Sequence, residues 1–143
     1  MTHKLLFSCI LITFLYVLSF MGYHATFHDH TLLPDQGSKE HRLDVKIIND
    51  EWRVVFADDE NQSDVIARRG DRIIWNVEGS DATFRFPNRG IFGFRTRKVK
   101  EGNQLVLPVS SNSPLGEFDY TVFIENAGTN ARGQSPPRII VRE

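Results

Sequence analysis

Residues 69–86 read RGDRIIWNVEGSDATFRF, a strand, a turn and a second strand in succession. Gly70-Asp71 opens a tight turn, Arg72–Val77 is strongly apolar, and Glu78-Gly79-Ser80-Asp81 turns the chain into the alternating Thr83-Phe84-Arg85-Phe86. The same period of two recurs outward in both directions. Leu43, Val45 and Ile47 alternate with Asp44 and Lys46, Trp52–Phe56 follows Asn49-Asp50, and Val65–Ala67 follows the polar run DDENQSD at Asp58–Asp64. On the other side come Gln104–Val109, Phe118–Ile124 and Arg138–Val141. Short strands separated by Gly, Pro, Asn and Asp turns, with no 11-residue window carrying a helical stripe, predict an all-β Greek-key sandwich over residues 42–143. No room remains for crossover helices, which disfavours a parallel α/β sheet.

The chain has 143 residues, 17 Lys and Arg against 18 Asp and Glu, and one cysteine. That length suits one ordinary domain. The even charge argues against a basic nucleic-acid arm or an acidic tail. Cys9 cannot pair within the chain and falls in the uncharged run LLFSCILITFLYVLSFM, Leu5 to Met21. Extended to Tyr23, this run is about 28 Å long as a helix, close to the thickness of a bilayer core. Residues 1–23 are therefore expected to form one transmembrane or signal helix, with Lys4 cytoplasmic and the body exported: a single-pass cell-membrane protein with a periplasmic or other extracytoplasmic domain, secreted if the segment is cleaved.

Residues 24–41 contain Pro34 and Gly37, lack periodicity and read as a flexible linker. His24, His28, His30 and His41 lie in it, and capture of copper or zinc by this tether, through His24, His28 and His30 above all, is the alternative function. Solvated histidines on a mobile linker are the simpler interpretation, since a metal site needs ligands held in fixed geometry.

The strand order resembles the cupredoxins, and most closely the extracytoplasmic copper domain of cytochrome oxidase subunit II. Lys46–Phe56 (KIINDEWRVVF) is similar to the opening strands, and Arg69-Gly70-Asp71 with Ile73-Ile74-Trp75-Asn76 to the turn and strand before the first ligand. Ala82–Pro87 (ATFRFP) resembles the segment that starts at the first ligand histidine. Leu115–Val122 (LGEFDYTV) and Pro137–Val141 (PRIIV) resemble the strand entering the copper loop and the last strand. The resemblance implies a cupredoxin-like fold and copper electron transfer. It also places Ala82 where the first histidine belongs and Val122 where the cysteine belongs, and residues 123–136 (FIENAGTNARGQSP) hold no His, Cys or Met. Blue copper needs two imidazoles and a thiolate. Residues 42–143 contain neither residue type, so no metal site, no cofactor and no electron transfer are expected in the domain.

The same gaps remove Ser-His-Asp and Cys-His nucleophilic chemistry, and no enzyme is expected. Asp58–Asp64 fails the calcium-loop pattern: counted from Asp59, position six is Asp64 and position twelve Gly70, where Gly and Glu are wanted. Residues 83–100 (TFRFPNRGIFGFRTRKVK) carry six basic residues and no acid, interleaved with four phenylalanines. Alternating aromatic and basic residues can bind single-stranded nucleic acid, but they equally describe a strand with phenylalanines inward and arginines outward. For an exported domain no nucleic acid is expected. Arg85, Arg89, Arg95, Arg97 and Lys98 are then candidates for an acidic protein face or anionic headgroups, near the former copper end. The function expected is a membrane-anchored, copper-free binding or assembly module.

Overall fold

The structure is a computed structural model that describes residues 37–134 and 136–143. Within them lie eleven strands: β1 (Glu40–Ile48), β2 (Glu51–Phe56), β3 (Val65–Arg68), β4 (Arg72–Val77), β5 (Ala82–Arg85), β6 (Thr96–Val99), β7 (Gln104–Pro108), β8 (Gly116–Asp119), β9 (Thr121–Ile124), β10 (Thr129–Asn130) and β11 (Arg138–Arg142). No helix occurs among the described residues, so none there is long and apolar enough to cross a membrane. The expected membrane segment 1–23, with Cys9, and the tether histidines His24, His28 and His30 lie outside them.

One sheet has the order β2-β1-β4-β7; the others run β10-β9-β5-β6 and β3-β11-β8. The latter two join through one run of chain, because β8 and β9 are separated only by Tyr120. At that residue the chain changes partner: β8 pairs with β11, β9 pairs with β5, and the Tyr120 N–H donates to Pro137 O at 3.0 Å. The all-β expectation agrees with this architecture. Two of the three sheets are nevertheless mixed, since β1–β4 and β3–β11 are parallel. Parallel neighbours need a crossover of a dozen residues or more. Between β1 and β4 this is β2, β3 and their loops, and between β3 and β11 it is the chain from β4 to β10, in place of helices.

Strand alternation puts Leu43, Val45, Val54, Ile73, Trp75 and Val77 of one sheet against Val65, Phe84, Val122, Ile124, Ile139 and Val141 of the other, all at most 1% exposed. Trp75 sits at the centre. Its ring lies 5.5 Å from Phe84, 5.9 Å from Phe86 and 5.7 Å from Tyr120, and its Nε1–H donates to the Tyr120 hydroxyl at 3.0 Å. Burial raises the Tyr120 phenol well above its ordinary value, so the hydroxyl stays neutral and able to accept.

The sequence reading differs at the start of β1 and at β6, and Phe118–Ile124, read as one segment, is divided at Tyr120 between β8 and β9. β1 starts at Glu40, so His41 is a strand residue and only 4% exposed. Its Nε2 lies 3.1 Å from Asp71 Oδ2, which also accepts the Arg68 N–H, while Asp71 Oδ1 accepts the Lys39 N–H. A single polar residue next to a linker leaves no periodic trace, and the partner that orders it is 30 positions away. Strand β6 has no counterpart in the sequence reading. It is an edge strand with three exposed side chains in four, which shows no alternation.

Candidate functional site: the Ala82–Val122 end and the basic loops

Strands β1 and β4 run in parallel from Glu40 and Arg72, and β5 returns in the opposite sense from Ala82. The sandwich therefore has an Asp71 end, where β1 and β4 begin, and an Ala82 end, where β5 begins and β9 finishes.

At the Ala82 end, β5 lies between β6 and β9. Ala82 is opposite Val99 and Ile124, and Val122 is opposite Phe84. Residues two apart share a sheet face, so Ala82, Phe84, Val122 and Ile124 all point inward, each at most 1% exposed. The two positions that the resemblance assigns to copper ligands are thus adjacent, dry and apolar. The segment expected to form a ligand loop, 123–136, begins as strand and then turns tightly. Gly128 N–H donates to Ile124 O at 2.9 Å, Glu125 N–H to Asp81 O at 3.0 Å and Asn126 N–H to Ser80 Oγ at 3.1 Å. Backbone and hydroxyl partners close this end, and Thr129–Asn130 pairs back onto β9.

Around that closure the exposed groups form ion pairs. Lys100 Nζ lies 2.6 Å from Asp81 and Lys98 Nζ 3.6 Å from Glu125, whose carboxylate also accepts the Thr83 hydroxyl at 2.6 Å. The Lys100 ammonium holds the Asp81 carboxyl below its usual range, and the Thr83 hydroxyl, with Lys98, does the same for Glu125. These are strongly hydrated pairs that fasten β6 to the turns at this end. Copper does not fit here: the inward positions carry only alkyl and aromatic groups, and the carboxylates are hard oxygen donors already paired with ammonium groups. Among the described residues no group of three or more His, Cys, Asp or Glu is placed to hold a metal ion. His41, the sole described histidine, is at the Asp71 end.

The five basic candidates do not form one surface. Lys98 is taken up at the Ala82 end by Glu125. Arg97, opposite Phe84 on the inward side of edge strand β6, lays its guanidinium 3.8 Å over the Phe94 ring and covers the margin of the aromatic core. Arg85 lies on the outward face, and Arg89 and Arg95 flank the loop 87–95. That loop leaves the far end of β5, and Phe86 N–H bonds to Arg95 O across its neck at 2.7 Å. Loop 87–95 therefore lies at the Asp71 end, away from Ala82 at the start of β5 and not beside it as the resemblance suggested. The direction of β5 decides this, and it follows from pairing that local composition does not encode.

A cleft of about 630 Å³ lies elsewhere, against the edge of β2, with Arg53, Arg132, Tyr120 and Pro137 among its walls. Sequence reasoning did not single it out, because its walls come from segments some 80 residues apart, joined by the isolated bridge Arg53–Arg132.

No family model matches this sequence, and no curated protein matches it. Solved structures do match, and the neighbours are cupredoxins. The Cu(I) form of a methionine-to-alanine mutant of amicyanin aligns with a TM-score of 0.44 at 12% identity, covering 76% of this chain and 87% of that one. A second Cu(I) amicyanin mutant gives 0.43 at 14% identity, covering 75% and 84%. Fet3p, a multicopper oxidase that functions in iron import, gives 0.41 at 12% identity, covering 75% of this chain and 23% of its own. Scores at this level add nothing to the strand pairing described above.

Proposed function

We propose that this chain is a membrane-anchored, extracytoplasmic binding or assembly module built on a copper-free cupredoxin-like sandwich, related most closely to the copper domain of cytochrome oxidase subunit II. One observation carries the proposal: Ala82 and Val122, aligned with the family's ligands, are buried as diagonal neighbours on paired strands near a turn that closes on itself. A sandwich that keeps its core and fills the metal position with alkyl groups retains a shape to present and no redox centre to use. The uncharged run Leu5–Met21 behind Lys4 supports the anchor and its orientation. Among the described residues the single histidine, His41, is buried against Asp71, which supports a binding role over His-dependent nucleophilic chemistry.

Copper titration of the full chain carrying Cys9→Ser, in detergent, tests this. The expected result is no blue or purple absorption at any copper ratio and an unchanged melting temperature for the domain. Copper caught by His24, His28 or His30 would give only weak colour, because no thiolate joins it. An intense visible charge-transfer band would overturn the copper-free reading.

A further inference from the structure

The formally neutral sandwich is electrically polarised along its strands. At the Ala82 end the turns carry Asp50, Glu51, Glu78, Asp81, Glu101 and Glu125, and Lys98, Lys100 and Arg132 are each paired with one of these acids. At the Asp71 end, three segments are stitched into one surface. The Arg69 Nε–H donates to Ser113 O at 2.9 Å, the Ser110 N–H donates to Ile91 O at 2.8 Å, and Gly90 packs against the Pro114 ring. Phe92 and Phe94 pack partly buried against the core beneath loop 87–95, with Phe92 4.8 Å from Phe86, so the loop is a built platform. Exposed on this surface are Lys39, Arg69, Arg72, Arg89 and Arg95, together with Leu115 at 43% exposure.

The acids at that end are mostly occupied or off to one side. Asp71 is buried under two backbone N–H groups and His41, and Glu40 is shared between Arg42 and Arg72. Glu143 is the last residue, Glu117, two positions after Leu115, is paired with Arg138, and Asp58 and Asp59 follow β2 at the margin near Phe56. Arginines around an exposed leucine suit an anionic, partly apolar boundary.

The chain enters the sandwich at this same end. Gly37, the first described residue, shares a shallow basin with Lys39, Arg69 and Arg142. Between the expected span, which closes at Tyr23, and Gly37 lie residues 24–36, at most about 45 Å when fully extended. We infer that the Arg69–Arg89–Arg95 surface docks on the anionic headgroups of the bilayer that holds the chain, so that the domain lies basic end down and presents its acidic Ala82 end outward. The tether keeps the surface at high effective concentration above the lipid, so weak contacts suffice. This inference rests on the anchored reading above.

The test uses the full chain carrying Cys9→Ser in nanodiscs of phosphatidylcholine alone or with one third phosphatidylglycerol, with an acceptor dye on a small fraction of headgroups. A donor dye is attached through Ser111→Cys at the basic end or through Asn126→Cys at the other. Docking predicts higher energy transfer from position 111 in the anionic discs than in the neutral ones, with no such rise from position 126. The rise is expected to vanish in 1 M salt, where the Debye length is about 3 Å, and in the variant Arg89→Glu with Arg95→Glu. Equal transfer in both lipids, in a chain that stays with the discs through a high-salt wash, overturns docking and leaves the anchor standing. A chain that washes off overturns both. A position-111 rise that survives the double Arg→Glu change overturns the assignment to this surface.

Discussion

Trp75→Ala is expected to lower stability by about 3–5 kcal/mol. A domain of this kind has only about 5–15 kcal/mol in total. The indole is fully buried at the meeting point of both sheets, with Phe84, Phe86, Phe92 and Tyr120 within 6.2 Å. Its removal leaves a void that a sandwich pinned by two mixed sheets cannot collapse to fill. It also strands the Tyr120 hydroxyl in a dry core. Denaturant unfolding followed by far-ultraviolet circular dichroism measures the loss as a lower midpoint. Tyr120→Phe separates the polar share: it keeps the ring and orphans the Trp75 Nε1–H, and about 1–3 kcal/mol is expected from that alone. An unchanged midpoint for Trp75→Ala would refute the central placement of this side chain.

Asp71→Asn should cost about 2–3 kcal/mol at neutral pH, because a buried carboxylate that accepts three hydrogen bonds becomes an amide with one oxygen to offer. Burial alone would raise the Asp71 carboxyl. The Arg68 N–H, the His41 ring and the Lys39 N–H outweigh it, and the folded value falls below the ordinary 3.8. A carboxyl depressed in the folded state contributes its stability above the unfolded value and loses it as pH falls through the folded one. The gap between wild type and Asp71→Asn is therefore expected to be flat through neutral pH and to shrink below about pH 4. Urea midpoints taken at steps down to pH 2.5 measure this, and a gap that persists unchanged to the lowest pH would count against the network.

The core was legible because strand periodicity reports directly which side chains turn inward: Leu43, Val45, Ile73, Trp75, Phe84 and Val122 all lie where alternation puts them. Ligand chemistry was legible too, since a missing residue type excludes a donor whatever the fold. What alternation does not carry is the pairing partner. The parallel neighbours β1–β4 and β3–β11, the edge strand β6 and the ordering of His41 by Asp71 depend on contacts between distant segments. The basic run 83–100 illustrates the difference. Read as one patch, it separates in three dimensions into a lid over Phe94, an ion pair with Glu125 and the loop arginines at the opposite end.

The way the chain enters the sandwich also determines how it meets mechanical load. Lys39 leads straight into β1, which pairs with β4 over residues 40–45 and with β2 over residues 43–48, and the Asp71 carboxylate holds the Lys39 backbone N–H and the His41 ring. Tension drawn through the N-terminal segment therefore runs parallel to β1 and strains both ladders at once, in shear, with no free hairpin end from which to peel. A pull on the turn at residues 125–128 meets the two-residue β9–β10 ladder and the bonds from Glu125 and Asn126 to Asp81 and Ser80, and opens them one by one. Single-molecule stretching from the two attachment points should give a high rupture force for the first and a low one for the second, so the fold bears a tug where the chain enters β1 while the tip at residues 125–128 yields.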